Sequence, residues 1–250
     1  MNLILLKPDE ANNGGLPGAD VRAVHIRDVL RAKAGDTVCV GVASGQRGTA
    51  LLLGISTAQI SWEIAWEKTT PSPFPLRLLV GLPRPQTARK ILLECASLGF
   101  AEIHFFNAEK GDPAYAQSSL WHGGETKDLL HKAAAQAFTT LVPILARHAS
   151  LDEALQRVAP AATEGNTRRV FLDIYEAGEA LDKTLYAASS ILIAIGPERG
   201  WSATERNTLR GAGFAGAHMG EHVLRVETAC VAAGAIALAA LGQWQRHGTR

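Results

Sequence analysis

The chain has 250 residues, 47% of them hydrophobic and 20% charged, and its formal net charge is +1. That length fits one large or two small domains, each able to bury a core. The balance is that of an ordinary globular protein. It argues against a strongly electrostatic nucleic-acid binder, though not against a localised basic groove.

Residues 1 to about 68 read as mostly β. A short helix is expected over Ala23 to Ala32, ending before Gly35. Strands starting at Thr37 and Thr49 flank Ser44-Gly45-Gln46-Arg47-Gly48, a hairpin turn. Ile60, Trp62, Ile64 and Trp66 alternate with Ser61, Glu63 and Ala65, the period of two that marks a half-buried strand. Together these make a small barrel-like domain. Pro71, Pro73 and Pro75 then favour an extended linker over 69–75, leaving 76–250 as a second domain.

There strands and helices alternate. Leu76–Leu82 is expected as a strand, and Thr87–Leu98 as a helix stopped by Gly99. Ile103–Phe106 is a strand and Glu125–Phe138 a helix. Ser150–Val158 is a helix opened by a capping box, Ser150 with Glu153. Val170–Ile174 and Ile191–Ile195 are apolar strands. Ser202–Arg210 is a helix with a second capping box, Ser202 with Glu205, followed by a strand over Ala215–Met219 and a final helix over Thr228–Trp244. The pattern predicts a mainly parallel sheet with helices on both faces.

Other features set limits. Cys39, Cys95 and Cys230 lie far apart with no CxxC pair, so no disulfide framework or zinc site is expected and a cytoplasmic location fits. Met1–Lys7 is too short for a signal peptide. The longest apolar run, Ala229 to Leu241, is 13 residues where a membrane span needs ~20, so no membrane partner is expected. Gly211-Ala-Gly213-Phe-Ala-Gly216 matches GxGxxG, but a helix precedes it and a strand follows, the reverse of a dinucleotide-binding turn, so it reads as a helix stop. His218 and His222 are four apart, but Gly220 lies between them and the glutamate is misplaced for HExxH; no metal is expected.

The residues that carry chemistry lie near the C-terminus. A buried strand ending at Ile195 delivers Gly196-Pro197-Glu198-Arg199-Gly200. A second glycine turn, Met219-Gly220, leads to Val223-Leu224-Arg225-Val226-Glu227-Thr228-Ala229. Two such turns at the C-terminal ends of neighbouring strands make a crevice where open α/β sheets bind ligands. The alternative, mere turn punctuation, is weakened by Glu198, Arg225 and Glu227, charges set beside apolar elements. The final helix, apolar all round, is either a core helix or a dimer interface.

Ile195-Gly-Pro-Glu-Arg-Gly-Trp-Ser, then Glu205, Met219-Gly220 and Val223 to Ala229 resemble the "IGPEGGfs..E…LG.rILRtETA" pattern of the bacterial 16S ribosomal RNA uridine-N3 methyltransferases (RsmE-like) of the SPOUT superfamily. His25-Ile-Arg-Asp-Val29-Leu30-Arg31 with Gly35-Asp36, Leu98-Gly99-Phe100, and Gln136 with Pro143 are looser echoes along the rest of the chain. The resemblance implies a PUA-like β-barrel, then an α/β domain with a C-terminal trefoil knot, in a homodimer that methylates 16S ribosomal RNA with S-adenosylmethionine. Carried over, Gly196, Pro197, Glu198, Gly200, Met219, Gly220, Val223, Leu224 and Thr228 line the cofactor site. Arg225 stabilises the uridine anion or binds phosphate, Glu198 is either the base or a brace for the loop, and His25, Arg27 and Arg31 grip RNA phosphates.

The chain also departs from the pattern. Arg199 stands in place of a glycine, a strained choice if that position has positive φ. Glu94, Ser97, Ala135, Thr139 and Leu141 stand where the family carries a lysine, a glutamate, a second glutamate and two arginines. Most of these losses fall on the basic side of the pattern. They motivate an alternative: a non-catalytic RNA-binding or ribosome-assembly protein that keeps the fold.

Overall fold

Alternating burial builds the first sheet. In β4 (Arg47–Ile55) and β5 (Gln59–Trp66), Ala50, Leu52, Ile60 and Trp62 are buried while Thr49, Leu51 and Glu63 face out, the in–out pleat of a half-covered strand. The computed structural model describes residues 3–158 and 166–244. Two compact units emerge, the first comprising the described residues up to Ser72 together with His131–Val142.

Its five strands run in the order β1 (Ile4–Leu6), β3 (Thr37–Val42), β4, β5, β2 (Gly15–Pro17); β1 pairs parallel with β3 and the others antiparallel. Ile4, Leu6, Leu16, Ile26, Val40, Leu52, Ile60 and Trp62 form its core. The segment 131–142 joins this unit through hydrogen bonds. The Leu3 and Ser44 N–H groups donate to the Ala135 and Thr140 carbonyls at 3.0 and 2.7 Å, and Thr140 Oγ1 donates to the Gly45 carbonyl at 2.7 Å.

The helix expected over Ala23–Ala32 is shorter and irregular. Asp20 caps α1 (Val21–Val24) by accepting the Arg22 N–H at 2.8 Å. The next five residues, His25–Val29, form a wider turn in which the Leu30 N–H donates to the His25 carbonyl at 2.9 Å, and Arg31 ends it at φ +52.

The second unit, Pro73–Leu130 with the described residues from Pro143 onward, holds a six-stranded, wholly parallel sheet. The order is β11 (Ala215–Ala217), β9 (Thr167–Leu172), β10 (Ser190–Ile195), β6 (Leu76–Gly81), β7 (Glu102–Phe106), β8 (Ile144–His148). Central β6 is buried at every residue, as a strand covered on both faces must be. On one face α4 (Leu151–Val158) and α6 (Ala203–Gly211) cover Leu79, Phe106, Phe171, Leu192 and Ala194. On the other, α2 (Pro85–Leu98) packs against α7 (Val226–Ala240), which lies on β6 and β10. A segment of α3 (Glu125–Gln136) belongs to each unit, and α5 (Leu181–Thr184) is a single turn.

Several boundaries differ from the sequence expectation. β9 starts three residues earlier and stops at Leu172, so Ile174 lies in the following loop. β11 ends at Ala217, and α7 begins at Val226 and stops at Ala240. The GxGxxG stretch is a helix stop: Gly213, at φ +79, donates its N–H to the Arg210 carbonyl at 3.0 Å before β11 begins.

Candidate cofactor cleft

Because the sheet is parallel, β9, β10 and β11 deliver their C-terminal loops to one edge. Those loops and the start of α2 line a cleft of about 680 Å³, within the ~300–1,000 Å³ of small-molecule sites.

Residues 196–201 form its floor. Pro197 to Gly200 is a β-turn closed by the Gly200 N–H donating to the Pro197 carbonyl at 2.8 Å. Gly200 takes the left-handed conformation at φ +66, and Arg199 is not among the residues with positive φ. The strain expected of an arginine at that place is therefore absent. A Cβ on Gly81 would lie 2.6 Å from Pro197 Cδ, so only glycine lets β6 approach the loop this closely. Glu198 is exposed, and its Oε1 accepts the Arg84 N–H at 2.9 Å, tying the turn to the start of α2. Buried Trp201 donates Nε1–H to the Leu172 carbonyl at 2.8 Å, joining the loops after β10 and β9. Glu205 is also buried, and accepts the Glu109 and Ser202 N–H groups at 3.0 and 2.9 Å. It braces the loop.

The wall after β9 was not foreseen from sequence. Asp173 is 5% exposed; its N–H donates to the Ala217 carbonyl, and its carboxylate accepts the Tyr175 N–H and is paired with Arg206. Burial pushes the Asp173 carboxyl up, but Arg206 and the backbone donors outweigh it and hold the group below its ordinary value.

The third loop carries Met219, Gly220 (φ +92), Val223, Leu224 and Arg225, all lining the cleft. Arg225 is the N-cap residue of α7. Glu227, two residues on, forms its ion pair with Lys90 at 3.1 Å. Burial pushes Glu227 up, but its own helical N–H, Lys90 and Arg225 together leave it lowered. Thr228 is exposed and does not line the cleft, whereas Val226 and Ala229 do.

Known proteins resemble this chain in sequence and in fold. The RNA methyltransferase domain family matches residues 70–238. Ribosomal RNA small subunit methyltransferase E of Treponema pallidum (strain Nichols) is 32% identical, over 98% of this chain and 94% of the relative. The chain belongs to the RNA methyltransferase family. Its fold is that of ribosomal RNA small subunit methyltransferase E from Neisseria gonorrhoeae bound to S-adenosyl methionine (TM-score 0.76, 21% identity, 95% and 97% of the two chains). It is also that of a probable rRNA-methyltransferase from Porphyromonas gingivalis (TM-score 0.77, 21% identity, 98% and 100%).

In this RNA methyltransferase the cleft also takes in residues that sequence reasoning missed, notably Arg84, Thr87, Asp173, Tyr175 and Arg206. Asp173 carried a findable signal: it follows an apolar strand of the same sheet, and the crevice argument applied to β10 and β11 holds for β9 too. His218 and His222 line the cleft as well, with His218 Nδ1 accepting the Gly220 N–H at 3.2 Å. Among the described residues no cluster of His, Cys, Asp and Glu is placed to hold a metal, and no helix is long and apolar enough to cross a membrane.

Of the three residues expected to grip RNA, Arg31 is exposed. Arg27 pairs with Asp28 at 2.8 Å. His25 Nε2 is buried without a hydrogen-bond partner, the one such side-chain atom among the described residues.

Proposed function

We propose that this chain transfers a methyl group from S-adenosylmethionine to N3 of a uridine in 16S ribosomal RNA. The observation that carries the reading is the convergence of three strand-end loops on one cleft whose glycines leave open space where side chains would otherwise stand. A Cβ on Gly200 or Gly220 would meet nothing within 4 Å, and Ile195, Val223 and Leu224 add apolar surface beside them. Such a lining fits an adenosyl group held by backbone N–H and C=O groups. Gly196, Pro197, Gly200, Met219, Gly220, Val223 and Leu224 would hold the cofactor, with Glu198 bracing their loop; Thr228, exposed outside the cleft, has no part in it.

When bound, S-adenosylmethionine supplies an electrophilic methyl on its sulfonium. The chain's own work is then positioning and handling the N3 proton. Loss of that proton spreads negative charge over the uracil ring, and Arg225 is the cation placed to stabilise it. Glu198 acts as a brace, since one of its oxygens is engaged by the Arg84 N–H. N3 lies on the pairing edge, so the uridine enters unpaired or flipped out. The first unit, a PUA-like barrel in this reading, contributes Arg31 and Arg27 to the RNA backbone, with His25 shaping their turn.

The remaining expectations stand as parts of the same proposal: a cytoplasmic homodimer with a C-terminal trefoil knot. Two features support the knot and the dimer. α7 returns from edge strand β11 to lie on central β6 and β10, and Val231, Ala232, Ala235 and Ile236 on it are only half-buried, which suits a second copy.

The test has two stages. Calorimetry with S-adenosylmethionine should give a saturable heat; its absence would leave the non-catalytic assembly-protein reading in possession. Mass spectrometry of 16S ribosomal RNA from a deletion strain should then show one uridine N3-methyl group missing. An unchanged pattern would remove the ribosomal assignment.

A further inference from the structure

Granting that cofactor reading, we propose that Arg84 and Arg199 form a phosphate clamp at the cleft, binding one phosphodiester of the RNA strand next to the target nucleotide. Both side chains are exposed and both line the cleft. They sit on the two segments that one hydrogen bond joins, the Arg84 N–H to Glu198 Oε1 at 2.9 Å, with Arg199 the next residue along.

Charge accounting separates them from Arg206, which is matched by Asp173 and Glu176; Arg225, the other cleft arginine without a salt bridge among the described residues, lies at the start of α7 and is the one proposed above to face the uracil ring. Neither Arg84 nor Arg199 has a salt bridge among the described residues. Arg84 Nε donates to the Tyr115 hydroxyl at 3.2 Å, which aims the guanidinium without neutralising it. Glu198 lies close enough to act on that charge but forms no salt bridge with it, its Oε1 accepting the Arg84 backbone N–H. The position of Arg199 is free of strain because Gly200 takes the left-handed φ. A guanidinium stands there at no conformational cost, where the related pattern has glycine.

The ligand's chemistry follows. S-adenosylmethionine carries a sulfonium, an ammonium and one carboxylate, and is a net cation, so two unmatched guanidinium groups beside it are a poor complement. A polyanionic strand is a good one, since the planar guanidinium fork matches phosphate oxygens. Removing either side chain leaves the Arg84 N–H, and hence the Glu198 brace, in place.

The experiment measures binding of a fluorescent single-stranded oligouridylate to the full chain from 50 to 300 mM salt. It compares the parent with Arg84→Ala, Arg199→Gly and the double variant, with thermal melts confirming folding. Each lost phosphate contact should reduce the slope of log K against log salt by about 0.7. Because both arginines serve one phosphodiester, the double variant should lose about 0.7 in all, with lysine at both positions restoring it. With 30S subunits from a deletion strain as substrate, KM should rise about tenfold while kcat stays within about threefold, and affinity for S-adenosylmethionine should not change. An unaltered salt slope overturns the clamp, as does a loss of cofactor affinity, which would give the arginines to the cofactor's carboxylate. The oligouridylate arm needs no turnover. A parent chain that shows no heat with S-adenosylmethionine thus fails the cofactor reading separately from the clamp.

Discussion

Glu198 and Arg84, 114 residues apart in sequence, are joined by a hydrogen bond of 2.9 Å from the Arg84 N–H to Glu198 Oε1. The bond gives Glu198 a task that needs an oxygen acceptor but no proton transfer. Glu198→Gln keeps such an acceptor, so turnover should stay within about threefold of the parent. Glu198→Ala removes it and should weaken S-adenosylmethionine binding by about fivefold, the worth of ~1 kcal/mol for one exposed hydrogen bond. Steady-state kinetics and calorimetry on the pair decide the matter. An inactive Glu198→Gln variant with intact cofactor affinity would make Glu198 the base.

Arg225 should divide the other way. It lies in the cleft at the start of α7, and in the proposed reaction its charge is needed only once the uracil ring becomes anionic. Arg225→Ala should therefore lower kcat about 10²–10³-fold, the range seen when one preorganised donor is removed, while calorimetry shows cofactor binding preserved. Lost cofactor binding would make Arg225 a structural part of its loop.

Gly81 tests how the floor of the cleft is held. A methyl group there would sit 2.6 Å from Pro197 Cδ and 2.8 Å from Pro197 N, against backbone that cannot swing aside. Gly81→Ala should cost about 1–3 kcal/mol in urea denaturation and weaken S-adenosylmethionine binding at least several-fold by shifting the turn. Gly211→Ala is the control, because a Cβ there meets nothing within 4 Å.

The glycine turns illustrate which features the sequence made legible. Continuous apolar runs marked β6 and β10, and the Ser202–Glu205 capping box forms with both bonds, at 3.0 and 2.9 Å. These are local patterns with local causes. The start of α7 shows where such reading slips. The charged Arg225–Glu227 stretch moved the expected helix start to Thr228, whereas α7 begins at Val226. Long-range pairing was least legible. Edge strand β8 bonds only to β7 and is half exposed, so its five residues carry no periodic signature. The packing of 131–142 with the N-terminal strands rests on contacts such as Ser44 N–H to Thr140 O, which no local composition records.

Arg206 should stabilise the wall of the cleft. Its partner Asp173 has a side chain only 2% exposed, and burial alone would push that carboxyl up. Arg206→Met leaves a buried carboxylate with backbone donors but no counter-charge, which should cost on the order of 3 kcal/mol. The sign with pH follows. In the parent, Asp173 is lowered in the folded state, so its stabilisation holds above the ordinary carboxylate range and fades as pH falls through the lowered value. In Arg206→Met the folded value is no longer held down by the guanidinium, so the variant starts less stable but loses less on acidification, measurable as a shallower fall in Tm below pH 5 than in the parent.

The other pH response comes from His104 and His148, which stack with ring centroids 5.3 Å apart and share a 3.0 Å contact from Nδ1 to Nε2. His104 Nε2 lies 2.8 Å from Glu102 Oε2. With Glu102 ionised, that nitrogen donates, leaving His104 Nδ1 to accept from His148 Nε2–H. The chain is complete with both rings neutral. Burial lowers the His148 value, as do the charges of His104 and Arg157; Glu153, 3.9 Å from Nδ1, opposes them. A depressed histidine takes up its proton in the unfolded chain first. Its contribution is therefore constant above the unfolded value near 6.5 and is lost as pH falls below it. Tm should drop between pH 7 and 5, ahead of carboxylate titration. His148→Gln should flatten that segment of the curve even if it lowers Tm throughout. A parent melting curve level across pH 5 to 7 would mean that the buried pair accepts a proton without penalty.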